Sequence, residues 1–190
     1  MAVHAGRHQL GPKRGRITLR TFRDGLAAQA GHDLVIEATR WSGVLGVGED
    51  LSPADLDVHI DMGGLVVREG TGGVKPLSDR DRREIAVTAR KVLGADQHPE
   101  AVFKAQQFTP ESGDGGGGEI TGTLTLRGVV KPLRIRVSQT GPDRYHAEAT
   151  VVQSDYGIKP YSAFLGALRV RDAVDVAIDL DLSQNGAAAS

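Results

Sequence analysis

Six histidines, at positions 4, 8, 32, 59, 98 and 146, are the side chains of this sequence best suited to hold a metal or move a proton, and their spacing builds neither site. His4 and His8 would share a face only on a helix, but they stand in a glycine-rich start that reads as a solvated tail. Asp57, His59 and Asp61 alternate, so on a strand they share one face and could meet a surface divalent ion; polar residues alternating on an exposed face need no function at all. No metal and no cofactor is expected. Ser154-Asp155 and His32-Asp33 are adjacent pairs, and neighbours on a strand point to opposite faces, which defeats an acid-base partnership within either pair. There is no nucleophile elbow, paired-carboxylate arrangement or dinucleotide fingerprint. The Gly115 to Gly118 run lacks the Lys-Ser/Thr ending of a phosphate cradle and reads as a flexible hairpin connection. A catalytic set assembled from distant positions is the one remaining route to an enzyme, so a non-enzyme is expected.

Composition points the same way. The 190 residues include no cysteine, which removes disulfides, thiolate ligands and thiol nucleophiles together. With 23 basic and 24 acidic residues the net charge is -1, so no overall positive field gathers nucleic acid, and aromatics at 4% disfavour base stacking. Glycine reaches 25 residues, a balance that suits many tight turns between strands packed with branched aliphatics. No run of apolar residues is long enough to span a membrane as a helix. Met1 to Arg16 holds no apolar core of an export signal, so the expected compartment is the cytoplasm.

The elements that must position any site are strands, because period-two alternation dominates. In Glu119 to Arg127, Ile120, Gly122, Leu124 and Leu126 share a face opposite Thr121, Thr123, Thr125 and Arg127. Leu133, Ile135 and Val137 continue the pattern after Gly128 to Pro132, which reads as a short hairpin loop. Val174 to Leu182 and Leu56 to Met62 repeat it with acidic outer faces. Arg16 to Phe22, Asp33 to Trp41 running past a kink at Ser42-Gly43, Val102 to Phe108 and Tyr145 to Val152 bring the total to about eight strands. The exception is helical: Ser78 as N-cap, Asp79 and Asp81 in the first turn, Ile85, Ala89 and Val92 at helical spacing, and Gly94 as the stop. The expected class is mainly β, an antiparallel barrel with one or two flanking helices, organised as a flexible segment 1–15, one barrel domain 16–183 and a flexible tail 184–190. A barrel of about eight strands is either filled by its own side chains or holds one small ligand. The small inner residues Gly122, Ala147, Ala149, Val58, Val137 and Val176 leave room for a slender apolar guest, or for a flattened wall with the helix docked on it.

The segment Gly122 to Ile135, with Gly128-Val129-Val130-Lys131-Pro132 at its centre, resembles the YceI-like, polyisoprenoid-binding family. Gly31-His32, the strand with Val58, Ile60 and Met62, the helix leading to His98-Pro99 and Val102-Phe103, and Ser154-Asp155-Tyr156-Gly157-Ile158 follow in the same order, so the likeness covers roughly Arg16 to Ser183. It implies an extended, lipocalin-like barrel whose apolar lumen takes a polyisoprenoid, an isoprenoid quinone or a fatty-acyl lipid, with no catalytic residues. The candidate lining residues are Ile17 and Leu19, Leu34 and Ile36, Val58 and Ile60, Phe103, Leu124 and Leu126, Ile135 and Val137, Ala147, and Val176 and Ile178. Lys131, Tyr156, Lys159 and Tyr161 are candidates to meet the polar end of the ligand, each equally explained as a surface residue. His32 reads as a turn or core histidine, and Trp41 as packing at a barrel end or under the helix. Two other functions stay open: a protein-interaction module with a filled barrel, and an enzyme acting on an apolar substrate. A homodimer is one option for the assembly.

Overall fold

The computed structural model describes residues 5–49, 53–111 and 116–183. In chain order the elements are β1 (Gly6–Leu10), β2 (Gly15–Thr21), β3 (Arg23–Asp24), β4 (His32–Ala38), β5 (Trp41–Val47), β6 (Pro53–Asp61), β7 (Leu65–Gly72), α1 (Asp79–Leu93), β8 (Glu100–Pro110), β9 (Gly118–Leu126), β10 (Val129–Gly141), β11 (Arg144–Val152), β12 (Ser162–Ala163), β13 (Leu168–Val170) and β14 (Ala173–Asp181). Eleven of the strands form one curled antiparallel sheet in the order β1-β5-β6-β8-β9-β10-β11-β14-β2-β4-β7, and β12-β13-β3 form a small second sheet. The mainly β class and the single long helix match the sequence reading. The strand number does not: about eight were expected, and the main sheet alone has eleven.

The difference arises at a bend. Asp33 to Trp41 was expected to run on past a kink at Ser42-Gly43, whereas the break falls at Thr39-Arg40, where β4 hands over to β5. The antiparallel partner strand of the same hairpin breaks at the same level, between β6 and β7. One long hairpin is thereby folded across itself, its β5·β6 arm lying toward one edge of the main sheet and its β4·β7 arm toward the other. The corner is held by Thr39 N–H and Oγ1 donating to Gly64 O, by Asp61 N–H donating to Arg40 O, and by an Arg40–Asp61 ion pair at 3.0 Å. Gly64 is required there, since a Cβ would stand 2.8 Å from the Arg40 Cβ and 3.0 Å from its backbone nitrogen.

Two further corrections concern connections. Gly6–Leu10, expected within the flexible segment 1–15, form edge strand β1 against Val47 to Gly43 of β5. Residues 1–4, the tail 184–190 and part of the glycine-rich loop (112–115) lie outside the described residues. The hairpin loop expected over Gly128 to Pro132 is shorter: Leu126 pairs with Val129, so only Arg127 and Gly128 turn, both with positive φ (51° and 74°), as a right-twisted two-residue hairpin demands. Pro132 therefore stands inside β10, in a stretch bonded to β9 but not yet to β11, where a missing N–H costs little.

The helix begins as the sequence indicates. Ser78 Oγ accepts from Asp81 N–H and the Asp81 carboxylate accepts from Ser78 N–H, while Gly94 closes the helix at φ 65°. Ala86, its buried residue, packs against β7, and the expected Ile85-Ala89-Val92 stripe faces the interior beside it. The helix packs mainly along β7, an edge strand of the main sheet, and Arg90 donates to Gly63 O at the corner.

On the outer wall His146 is bracketed by Asp179, 2.7 Å from Nδ1, and Glu148, 3.3 Å from Nε2. The Asp179 hydrogen bond raises its pKa, burial works against it, and Glu148 adds to the rise. Because the folded state favours the protonated ring, the stabilisation is full below the unfolded value of about 6.5 and fades as pH climbs through the folded one. His146→Gln is expected to lower the urea midpoint at about pH 5.5 and to leave it unchanged near pH 9. An equal loss at both would show that the imidazole acts through packing rather than charge.

A candidate lipid-binding lumen

The inner faces of the strands converge on an apolar cavity of about 890 Å³, toward the upper end of the ~300–1,000 Å³ typical of small-molecule sites. Alternation produces its wall directly: along β9 every second residue is buried, with Ile120, Leu124 and Leu126 inward and the threonines outward. Ile17 and Leu19 of β2 stand opposite Ile178 and Val176 of β14 in the ladder, and Ala147 and Ala149 of β11 meet the same two residues from the other side. Leu34 and Ile36 on β4, Val58 and Ile60 on β6, Phe103 on β8, and Ile135 and Val137 on β10 extend the wall. All fourteen candidate lining residues thus face one space. Packing divides them between two buried clusters, one centred on β8 to β11, the other on β2, β4, β5 and β7.

Sequence reasoning left out part of this wall. Leu65 of β7 and Leu10 of β1 belong to it because the bent hairpin and the N-terminal strand were not foreseen; Leu10 alternates with the outer-facing Gln9, a signal too short to stand alone. Ile85, Ala89 and Val92 of α1 close the lumen on the helix side, with Leu93. Trp41 lies within the wall, 7% exposed, and its indole Nε1 has no partner among the described residues. The Oγ1 of Thr21, also on the wall, is likewise buried and unpartnered.

The proposed polar-end contacts scatter. Tyr161 alone reaches the cavity, at its rim. Lys131 and Lys159 are exposed and off the wall, and Tyr156 is buried in the core cluster with Ile158 and Ala147, where desolvation pushes its phenol pKa up. The rim instead carries Arg23, His32, Lys75 and Arg169 together with Asp81 and Glu84 of the helix. His32 bonds Lys75 O at 2.8 Å, and Arg23 donates to Gly31 O, so both brace the rim's backbone. The Asp57, His59 and Asp61 alternation does not gather around an ion. His59 lies between Asp57 and Glu100, while Asp61 turns to Arg40 and to the Gly63 N–H. No group of three potential ligands is arranged for a metal among the described residues.

Comparisons with known proteins agree with this architecture. A family model described as YceI-like domain matches residues 21–182. Among solved structures, BcnA of Burkholderia cenocepacia superposes with a TM-score of 0.57 at 14% identity, over 87% of this chain and 94% of that one. A polyisoprenoid binding domain from Saccharophagus degradans, implicated in plant cell wall breakdown, gives 0.54 at 11% identity, over 93% and 97%. The YCEI protein of Campylobacter jejuni gives 0.52 at 17% identity, over 76% and 81%. No curated protein matches the chain.

Proposed function

The chain belongs to the YceI-like domain family, and from that premise we propose that it binds a polyisoprenoid or similar amphiphilic chain in its lumen, to sequester or carry it, without catalysing a reaction on it. The observation that carries this reading is the 890 Å³ cavity with a largely apolar wall, mostly aliphatic with Trp41, Phe103, Phe108 and Tyr145 set among the branched side chains. A core filled by its own side chains, as a pure interaction module requires, would leave no such space.

The chemistry favours a long apolar guest. Each methylene moved from water into the lumen contributes about 0.8 kcal/mol, and an isoprenoid demands no hydrogen-bond partner from the apolar wall. Selectivity then comes from length and shape. Binding is preferred to turnover because Arg23 and His32 at the rim are bonded to backbone carbonyls, and the buried polar atoms left unpartnered on the wall, Thr21 Oγ1 and Trp41 Nε1, are a hydroxyl and an indole N–H with no general base bonded to either among the described residues. The solved relative from Saccharophagus degradans is itself described as polyisoprenoid binding, which supports the same occupant here.

The test is to purify the protein natively, extract it with organic solvent and identify bound species by mass spectrometry, with denatured and refolded protein as control. A stoichiometric isoprenoid, lost from the control, is expected; an acyl lipid would keep the lumen and change the ligand. Trp41, the single tryptophan, gives a second readout, since occupancy of the lumen should alter its emission. Protein that purifies empty and whose Trp41 emission ignores added isoprenoids would remove the reading.

A further inference from the structure

Eight large hydrophobic residues are exposed among the described residues, and five of them, Leu26, Val74, Tyr161, Phe164 and Leu165, rise from the three loops that edge one rim of the lumen. Leu26 and Leu165 project fully, at 101% and 110% relative exposure, with Val74 at 87% and Phe164 at 67%. The loops are tied to one another: Ala27 N–H donates to Ala167 O, His32 bonds Lys75 O beside Val74, and β13 pairs with β3. Tyr161, Leu168 and Val170 continue from the Phe164-Leu165 tip into the cavity wall. Phe164 and Leu165 both adopt positive φ, 50° and 55°, a conformation unfavourable for such residues, here keeping two bulky apolar side chains in solvent.

Resting on the lipid-chain reading, we infer that this rim is a membrane-docking tip: Leu26, Phe164 and Leu165, with Val74 beside them, insert into a phospholipid surface so that a chain passes between bilayer and lumen without crossing water. Exposed apolar groups of this kind mark protein or membrane contacts. A specific protein interface buries about 800 Å² per partner with matched shape, whereas these side chains protrude from separate loop tips, which suits a fluid surface that needs no matching relief. The tip loops carry five basic residues, Arg23, Lys75, Lys159, Arg169 and Arg171, against four acidic ones, Asp24, Asp33, Asp155 and Asp172, a slight positive balance that suits an anionic surface, with Asp81 and Glu84 of α1 standing on the helix side of the rim. Asp24 is engaged by Arg169 and Asp33 by Arg23, while Arg171 and Lys159, both exposed, make no ion pair among the described residues.

The experiment is flotation with vesicles of phosphatidylcholine and phosphatidylglycerol, comparing the wild type with a combined Leu26→Asn, Phe164→Asn and Leu165→Asn variant; asparagine tolerates positive φ, which protects the fold. Wild type should float and the variant should partition at least about tenfold less, with uptake of an isoprenoid supplied in the vesicles slowed in proportion. A separate Leu165→Trp protein should show blue-shifted emission on vesicles. Equal flotation of wild type and variant, or no flotation of wild type with an unshifted Leu165→Trp, overturns the inference, as does a concentration-dependent dimer that the variant alone loses. Isoprenoid delivered in detergent separates the two ideas. Equal uptake by both proteins locates the defect at the tip, while no uptake by either, with wild type still floating, refutes the lumen reading and leaves docking intact.

Discussion

Ala149→Trp is expected to abolish chain binding while leaving the protein folded. Ala149 faces the lumen from β11, opposite Val176 of β14, and is half-buried because the space in front of it is open. In a filled core an added indole would cost about 1–3 kcal/mol through overpacking; here the void takes up the ring, so the melting temperature should stay within about 3 °C, equivalent to roughly 1 kcal/mol for a chain of this size. The same ring occupies the volume that a ligand needs, and affinity for an isoprenoid should fall at least about tenfold. Thr150→Trp is the matched control, since Thr150 is exposed on the outer wall beside Asp175 and its substitution should leave binding unchanged. Equal affinities for the Ala149→Trp and Thr150→Trp proteins would place the ligand elsewhere.

Gly122→Val is expected to produce the largest loss of stability. Gly122 lies on the inner face of β9, and even a Cβ there would stand 2.3 Å from Lys104 O, 2.8 Å from the Phe103 Cζ and 2.9 Å from the Ala105 Cα. Two of the three obstacles are backbone atoms of β8 next to the register shift between Ala105 and Gln107, so they cannot swing aside as a side-chain tip could. The remedy available to the chain is to part β8 from β9, whose side chains carry much of one buried cluster. A cost of about 3 kcal/mol is expected, within the range for overpacking that also disturbs backbone, or roughly 6–12 °C in the thermal midpoint. A midpoint within about 2 °C of wild type would mean that the bulge relaxes freely.

Gly122 also illustrates how much a one-dimensional pattern conveys. Its place on the inner face follows from Ile120, Leu124 and Leu126, and its smallness could be read as space. The structure gives that space to the Phe103 ring and the bulged β8 backbone, so this glycine serves wall packing and the open volume lies elsewhere. The same division recurs at the helix. Ser78, Asp81 and Gly94 fix its ends through local hydrogen bonds and one left-handed residue, but the seating of Ala86 against β7 depends on a strand that the sequence analysis did not find. Leu65 and Val67 follow Gly63-Gly64 as only two alternating buried positions, too short a run to separate from a loop.

The candidate site divides along the same line. Lining positions on long strands were legible because inward orientation has a period of two and needs only neighbouring residues to reveal it. The polar-end contacts were not: Lys131, Tyr156 and Lys159 were chosen by residue type, and whether a side chain reaches a cavity depends on strand level and on the loops around the rim, which adjacent residues do not encode. The corner at Thr39-Arg40 and Asp61 to Gly64 was equally hidden, since its bonds join positions more than twenty residues apart.

By itself, then, the sequence determined the longer strands, which face of each is apolar and where the helix starts and stops, all consequences of φ/ψ preference and side-chain alternation over a few residues. Only the tertiary structure decided that the hairpin folds across itself, that the lumen stays open and that five apolar side chains stand at its rim. A void is what remains after side chains from β2, β9, β11, β14 and the helix have packed, and no local stretch of chain contains that remainder.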